Sequence, residues 1–313
     1  MPLLSRRGLL CALPPAAAAL ACGRGSAPVV SAPSTVREIR QIVPALATRD
    51  GAGVSLSRSL GSQALPLLDP FLLLDEIRSE RPEDYVRGFP DHPHRGFETV
   101  TYMLDGFMEH RDSVGNRGRL SAGSAQWMTA GRGIVHSEMP EQDRGLLWGL
   151  QLWVNLPARL KMTKPRYQDI LPGRIPELSV AGAAVRVVAG QIGGERGPVE
   201  GIYTAPTMLD VTLAAGDTFE HELPARHNAF AYVLEGAVGL GAAASPVRQR
   251  ELAVLGPGAS VRAASAGGAR LLLLAAEPIG EPVARRGPFV MNTEAELDQA
   301  VADYRAGRLV AGG

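Results

Sequence analysis

Two octets set the terms for what this chain can fold into. Thr99-Val100-Thr101-Tyr102-Met103-Leu104-Asp105-Gly106 and Ala229-Phe230-Ala231-Tyr232-Val233-Leu234-Glu235-Gly236 each read as a strand carrying a Tyr, an apolar pair, an acid and then Gly. A turn ahead of another strand follows each, Ser121-Ala122-Gly123-Ser124 in one case and Leu255-Gly256-Pro257-Gly258 in the other. Matching order on both sides points to an internal duplication. Around the octets, short apolar or alternating runs recur, among them Leu65 to Leu74, Leu120 to Met128, Leu146 to Val154, Thr207 to Leu213 and Arg270 to Ala275. Gly, Pro and Asp clusters separate them, the pattern of strands with turn signals between. Gly (36) and Pro (24) are frequent while aromatics are only 5%, which favours many turns over long helices. The expected class is all-β, a sandwich or barrel. Helical period appears only from Thr293 to Tyr304, where Asn292 or Thr293 can cap and the first-turn acids suit the helix dipole.

The length of 313 residues accommodates two similar-sized lobes. With 45% hydrophobic and 20% charged residues the chain should fold rather than remain disordered. Formal net charge is zero, so no bulk attraction draws it to nucleic acid or an anionic membrane surface.

The N-terminus has the character of an export signal. Ser5-Arg6-Arg7-Gly8-Leu9-Leu10 precedes an uncharged apolar run from Leu9 to Ala21, about 13 residues against the roughly 20 that span a bilayer as a helix. Paired arginines flanked by Ser and two Leu resemble the twin-arginine signal, which serves proteins exported already folded; an ordinary secretory signal is the alternative. Ala19-Leu20-Ala21 suits a signal peptidase and Cys22 comes next. Cleavage can yield a soluble periplasmic protein, or a lipoprotein anchored through Cys22. Cys11 lies inside the signal, so the mature chain forms no internal disulfide. The small, Pro-punctuated stretch after Cys22 reads as a flexible tether.

Asp91-His92-Pro93-His94-Arg95-Gly96-Phe97-Glu98 carries the chemistry. In an extended segment residues i and i+2 share a face about 7 Å apart, so His92 and His94 can converge on one ion. His136 and Glu138 form a second i, i+2 pair after the Gly-rich Gly131-Arg132-Gly133. A lone His-x-His is commonly a surface or turn feature. Two such pairs that take three of the chain's six histidines are instead what an open-sided metal site on facing strands needs. His110 can stand in or near that pocket, or on a surface hairpin; His221 and His227 have no partner at metal spacing.

Longer blocks extend the pattern. They are His92-Pro93-His94-Arg95-Gly96-Phe97-Glu98-Thr99-Val100, Gln126-Trp127-Met128-Thr129-Ala130-Gly131-Arg132-Gly133-Ile134-Val135-His136-Ser137-Glu138-Met139-Pro140, Gly149-Leu150-Gln151-Leu152-Trp153-Val154-Asn155-Leu156-Pro157 and Gly287-Pro288-Phe289-Val290-Met291-Asn292-Thr293. Through them the chain resembles the pirin family of the cupin superfamily over roughly residues 38 to 311. The resemblance implies two cupin (jelly-roll) barrels in tandem, a bicupin, with a short C-terminal helix. It implies one mononuclear metal in the first barrel, held by His92, His94, His136 and Glu138, and none in the second, which lacks His-x-His. The expected organisation is an export signal over 1–22, a linker over 23–37, a metal-binding cupin domain over 38–165 and a second cupin domain over 166–313.

General cupins take their carboxylate four residues past the second His of the pair, which is Glu98 here, and place Pro where Gly131 stands. Glu98 shares the parity of His92 and His94 and faces the metal if the strand stays regular; the pirin pattern uses Glu138. Similar proteins include quercetin 2,3-dioxygenases. The implied activity is a metal-dependent dioxygenase that opens a flavonol-like or enediol substrate with O2, Glu138 acting as base. Fe(II) is the expected ion, with Mn, Ni, Co or Cu as alternatives. Some relatives act instead as non-catalytic metal-binding partners of regulators or enzymes. The protein is expected to act as a monomer on a small molecule.

If the signal is of the twin-arginine type, Arg6→Lys with Arg7→Lys should leave the precursor folded, metal-loaded and trapped in the cytoplasm. Fractionation of cells expressing the double variant checks this; arrival in the periplasm at the normal rate would mark an ordinary secretory signal.

Overall fold

A computed structural model describes residues 35–310. The export signal, Cys22 and the linker as far as residue 34 lie outside the described residues. The described chain is built almost wholly from antiparallel strands.

In the first barrel, a seven-stranded sheet runs in the order Arg166–Ile170, Ala125–Thr129, Phe97–Asp105, Leu147–Asn155, Phe71–Ser79, Val54–Leu60, Leu46–Asp50. It pairs with a four-stranded sheet of Phe89–His94, Ile134–Pro140, Phe107–Asp112 and Arg117–Ser121. The second barrel is built from one ten-stranded sheet. Both octets lie in central strands, Phe97–Asp105 and Asn228–Leu240.

The octets put the same faces to the same uses. Alternate residues of a strand point to opposite sides, and up to the closing acid and Gly of each octet both sides are largely buried. Val100 and Tyr102 from the first octet and Phe230, Tyr232 and Leu234 from the second join one apolar core between the barrels. Residues of the other parity face each barrel's own interior. In the second barrel these are Ala229, Ala231 and Val233, packed with Val187, Leu209 and Phe219. In the first, Met103 joins a smaller cluster with Tyr85, Met108 and Leu120, and Thr101 hydrogen-bonds to Glu138. One barrel is thus filled with apolar side chains and the other is partly hollow.

The octet tyrosines cross between barrels. Tyr102 donates to Asp210 Oδ2 of the second barrel at 2.7 Å, and Tyr232 donates to Glu76 Oε2 of the first at 2.8 Å. Each acid is otherwise satisfied: Arg270 makes two hydrogen bonds to Asp210, at 2.9 and 2.7 Å, and Trp148 Nε1 donates to Glu76 at 2.8 Å. Buried carboxylates are tolerable only when so paired.

Sheet membership departs from the divisions at 38–165 and 166–313. Ile39–Pro44 pairs with Glu251–Leu255 and so belongs to the second barrel, where buried Arg37 donates to the carbonyls of His227 and Pro224 at 2.8 and 2.9 Å. Arg166–Ile170 pairs with Ala125–Thr129 of the first barrel. Near the other end, Phe289 bridges in parallel to Arg95, and Arg95 forms a salt bridge to Asp303 at 2.9 Å. The helix spans Glu294–Arg305 and is closed by a capping box between Thr293 and Glu296; Leu297 and Ala300 pack with Phe289, Met291, Leu309 and Val135. Hydrophobic pattern marks each strand but not which neighbour it joins, so the exchange of the two chain ends between barrels leaves no trace in local periodicity.

Asp210→Ala should destabilise the protein by about 3 kcal/mol or more, because Arg270 and Tyr102 lose their buried partner. Glu220→Ala, at an exposed pair with Arg262, should cost under about 1 kcal/mol. Urea denaturation of the two variants checks the ranking.

Candidate metal centre

The His92 strand Phe89–His94 lies antiparallel to Ile134–Pro140, with His136 directly opposite His92. The first pair therefore meets His136, while Glu138, the second member of the other pair, falls outside the group that closes. Among the described residues, one group of potential ligands closes to within 4.8 Å of one another, and it consists of His92, His94 and His136. The ring centroids stand 4.3 Å apart for His92–His136, 4.7 Å for His92–His94 and 5.0 Å for His94–His136. His94 and His136 are buried, and His92 is half-buried.

Hydrogen bonds on the far ring nitrogens set the tautomers. His92 Nδ1 lies 2.9 Å from the Pro90 carbonyl, and His94 Nδ1 lies 3.4 Å from the Pro288 carbonyl. A carbonyl only accepts, so Nδ1 carries the proton in both rings and Nε2 presents its lone pair. His136 Nε2 is buried with no hydrogen-bond partner, an arrangement that is costly unless something else occupies it. Burial pulls the His94 and His136 imidazoles well below the ordinary histidine range, and the neighbouring imidazoles push the same way. Neutral rings are the form that binds metal. Three converging imidazoles, two of them held neutral by burial, with an orphaned ring nitrogen fit a transition-metal ion.

The carboxylates separate cleanly. The parity argument for Glu98 needs an unbroken strand, and the strand breaks at Gly96, whose φ of +89 suits glycine. A Cβ there would stand 1.9 Å from the Val290 carbonyl. Past the break, Glu98 takes the parity of Val100 and Tyr102 and accepts from Thr129 at 2.6 Å. Burial pushes its carboxyl up, against the hydrogen bond from Thr129. Glu138 keeps the parity of His136 along a regular pairing with Phe107–Asp112, and its Oε1 accepts from Thr101 at 2.7 Å. It lines the same cavity as His92 and His94. Gly131, where general cupins place Pro, has φ +51, which the fixed negative φ of proline cannot reach.

The cavity has a volume of about 570 Å³, within the range of small-molecule sites. Gln151 and Trp153 form part of its wall, and Arg285 enters from the C-terminal segment. The Arg285 guanidinium lies 4.6 Å from the Trp153 ring centroid, while Trp153 and Phe97 flank His94 at 5.2 and 5.0 Å. Lys161 sits behind the metal-site loop, its ammonium bonded to Gly96 O, Asn155 Oδ1 and Val290 O at 2.8, 2.6 and 3.1 Å; burial pulls it down to about 8.

Thr101, Gln151, Trp153 and Arg285 join the site without belonging to the ligand pairs that the spacing identifies. The sequence does hold a signal for Thr101, since Thr99 and Thr101 alternate with apolar residues inside a buried strand. Arg285 has none, because its place depends on the fold of the chain's end. Of the histidines left open, His110 is buried behind His136 rather than exposed on a hairpin. His221 and His227 belong to the second barrel, outside the three-histidine group.

Similarity to known proteins covers both halves of the chain. The family described as Pirin matches residues 53–154, and the Pirin C-terminal cupin domain matches residues 208–310. A pirin-like protein of Caulobacter vibrioides is 49% identical over 87% of this chain and 99% of its own length. A candidate quercetin 2,3-dioxygenase of Pseudomonas aeruginosa is 45% identical over 87% of this chain and 98% of its own. Among solved structures, a quercetin 2,3-dioxygenase from Acinetobacter baumannii superposes with a TM-score of 0.82 at 32% identity, covering 88% of this chain and 99% of that one.

Purified protein should carry about one transition-metal ion per chain, and His136→Ala should empty the site because only two of the three converging imidazoles remain. Elemental analysis by mass spectrometry checks both; full metal in His136→Ala would remove His136 from the ligand set.

Proposed function

This chain belongs to the pirin family, and from that premise we propose that it is a metal-dependent dioxygenase opening a flavonol-like or enediol substrate with O2. The observation that carries the reading is the convergence of His92, His94 and His136 on one point beside a cavity that His92, His94 and Glu138 line. Glu138 is the fourth ligand in this proposal, and Fe(II) the ion, with Mn, Ni, Co or Cu as alternatives. The ion, when bound, supplies Lewis acidity and one-electron chemistry toward O2.

The chain's own residues prepare the substrate. Glu138 accepts the proton of the substrate hydroxyl, leaving an enolate. Thr101 holds the carboxylate in place through Oε1 and stands 2.9 Å from the Gln151 side-chain oxygen. A hydroxyl has one proton, and the carboxylate is the stronger acceptor; Gln151 then serves the pair best with its amide nitrogen turned toward Thr101. Trp153 and Phe97 present flat apolar surface beside His94 and exclude water from that wall. Arg285, stacked on Trp153, places positive charge near the developing enolate. The same reading includes export in the folded state, for which Arg6, Arg7 and the short apolar run after them are the support.

Oxygen uptake by the metal-loaded protein with quercetin, extended to a panel of phenols and enediols, tests the activity. Glu138→Gln should lower turnover by about 10²–10⁴-fold and also lower metal content, while Glu98→Gln should change both little. The reverse ranking would transfer the role to Glu98.

A further inference from the structure

We propose that His110 is a positioning residue that fixes the metal-binding tautomer of His136 by accepting its Nδ1 proton. The inference rests on the metal reading of the site and goes beyond it. His110 lies directly opposite Glu138 in the pairing of Phe107–Asp112 with Ile134–Pro140. Its ring is 1% exposed, and its Nδ1 stands 3.4 Å from His136 Nδ1.

Two facing imidazole nitrogens form a hydrogen bond only if one carries a proton and the other a lone pair. The choice is made at the opposite edge of the His136 ring. Its Nε2 is the buried, partnerless nitrogen and must present a lone pair to bind an ion, so the proton of neutral His136 sits on Nδ1. His110 Nδ1 is therefore the acceptor. His92 and His94 obtain the same service from main-chain carbonyls, Pro90 and Pro288. His136 has no carbonyl in that place, and a side chain substitutes for one.

The contact with His136 is the one hydrogen bond of the His110 side chain among the described residues. Its own proton falls on Nε2, which is buried without a hydrogen-bond partner. The ring is held by packing, with the Tyr167 ring centroid 4.7 Å away. Burying an imidazole with one edge unpaired is unfavourable for stability, so a purely structural role favours a phenyl ring at this position. His110 is not itself a ligand here, because it meets the back edge of His136 rather than the edge shared with His92 and His94.

The test uses the full protein and cobalt(II). Affinity is read by competition with a chromophoric chelator, and geometry by the visible absorption of bound cobalt. His110→Phe keeps the ring's shape and removes the acceptor, and should weaken cobalt binding by about 10–100-fold with a changed spectrum. His110→Gln restores an acceptor oxygen and should recover most of the affinity. Circular dichroism and metal-free thermal unfolding report on folding; if His110→Phe does not fold, His110→Leu replaces it with the same expectation. Wild-type affinity in the acceptor-free variant would overturn the proposal, as would a His110→Gln variant as weak as it. A wild-type protein that takes up no cobalt would instead sink the metal reading, and the inference with it.

Discussion

The central strands of this protein must satisfy two interiors at once. With a barrel interior on one side and the second barrel on the other, neither face of the strands is available to water over residues 97–103 and 229–234. Strand parity therefore divides the labour with little tolerance. One face forms the apolar core shared by both barrels, where Val100, Tyr102, Phe230 and Tyr232 meet. The other face is free to differ, and it does: Thr101 in the first barrel stands where the second has Ala231. A one-residue slip in either strand would exchange the two faces and lose both the shared core and the site.

That division explains what could be read in advance. The all-β class, the duplication and the two ligand pairs all depend on local periodicity, which a linear sequence displays directly. His92, His94 and His136 were legible because each pair is separated by a single residue, and a strand converts that spacing into a common face. Glu98 was ambiguous for the same reason: its parity is correct on paper, and only Gly96, with its left-handed backbone against the Val290 carbonyl, removes it. A glycine advertises freedom, not the direction in which it is used. Arg285, Lys161 and His110 owe their positions to contacts spanning long stretches of chain, and no local pattern encodes those.

The hydrogen bonds of the three histidines show how the surrounding structure prepares a ligand set. Each ring is oriented from behind, and each support comes from a different part of the chain: the same strand two residues earlier for His92, the C-terminal segment for His94, and a neighbouring strand for His136. Such supports hold the lone pairs in place before any ion arrives, which reduces the reorganisation that binding requires. The tyrosine–carboxylate contacts between the barrels do comparable work at larger scale, since they tie the angle between the barrels to two fully satisfied buried acids.

The exchange of chain ends also bears on the order of events at the ribosome. A first barrel made entirely from early residues would have its three-histidine site finished while the second was still being made. Here the carbonyl that orients His94 belongs to Pro288, 194 residues later, and Arg95 waits for Asp303. At roughly 5–20 residues per second, the nascent first barrel spends on the order of ten seconds or more without its back wall. The strand Ile39–Pro44, made first, waits similarly for Glu251–Leu255. The first barrel therefore cannot complete the surroundings of its three histidines until nearly the whole chain has been made.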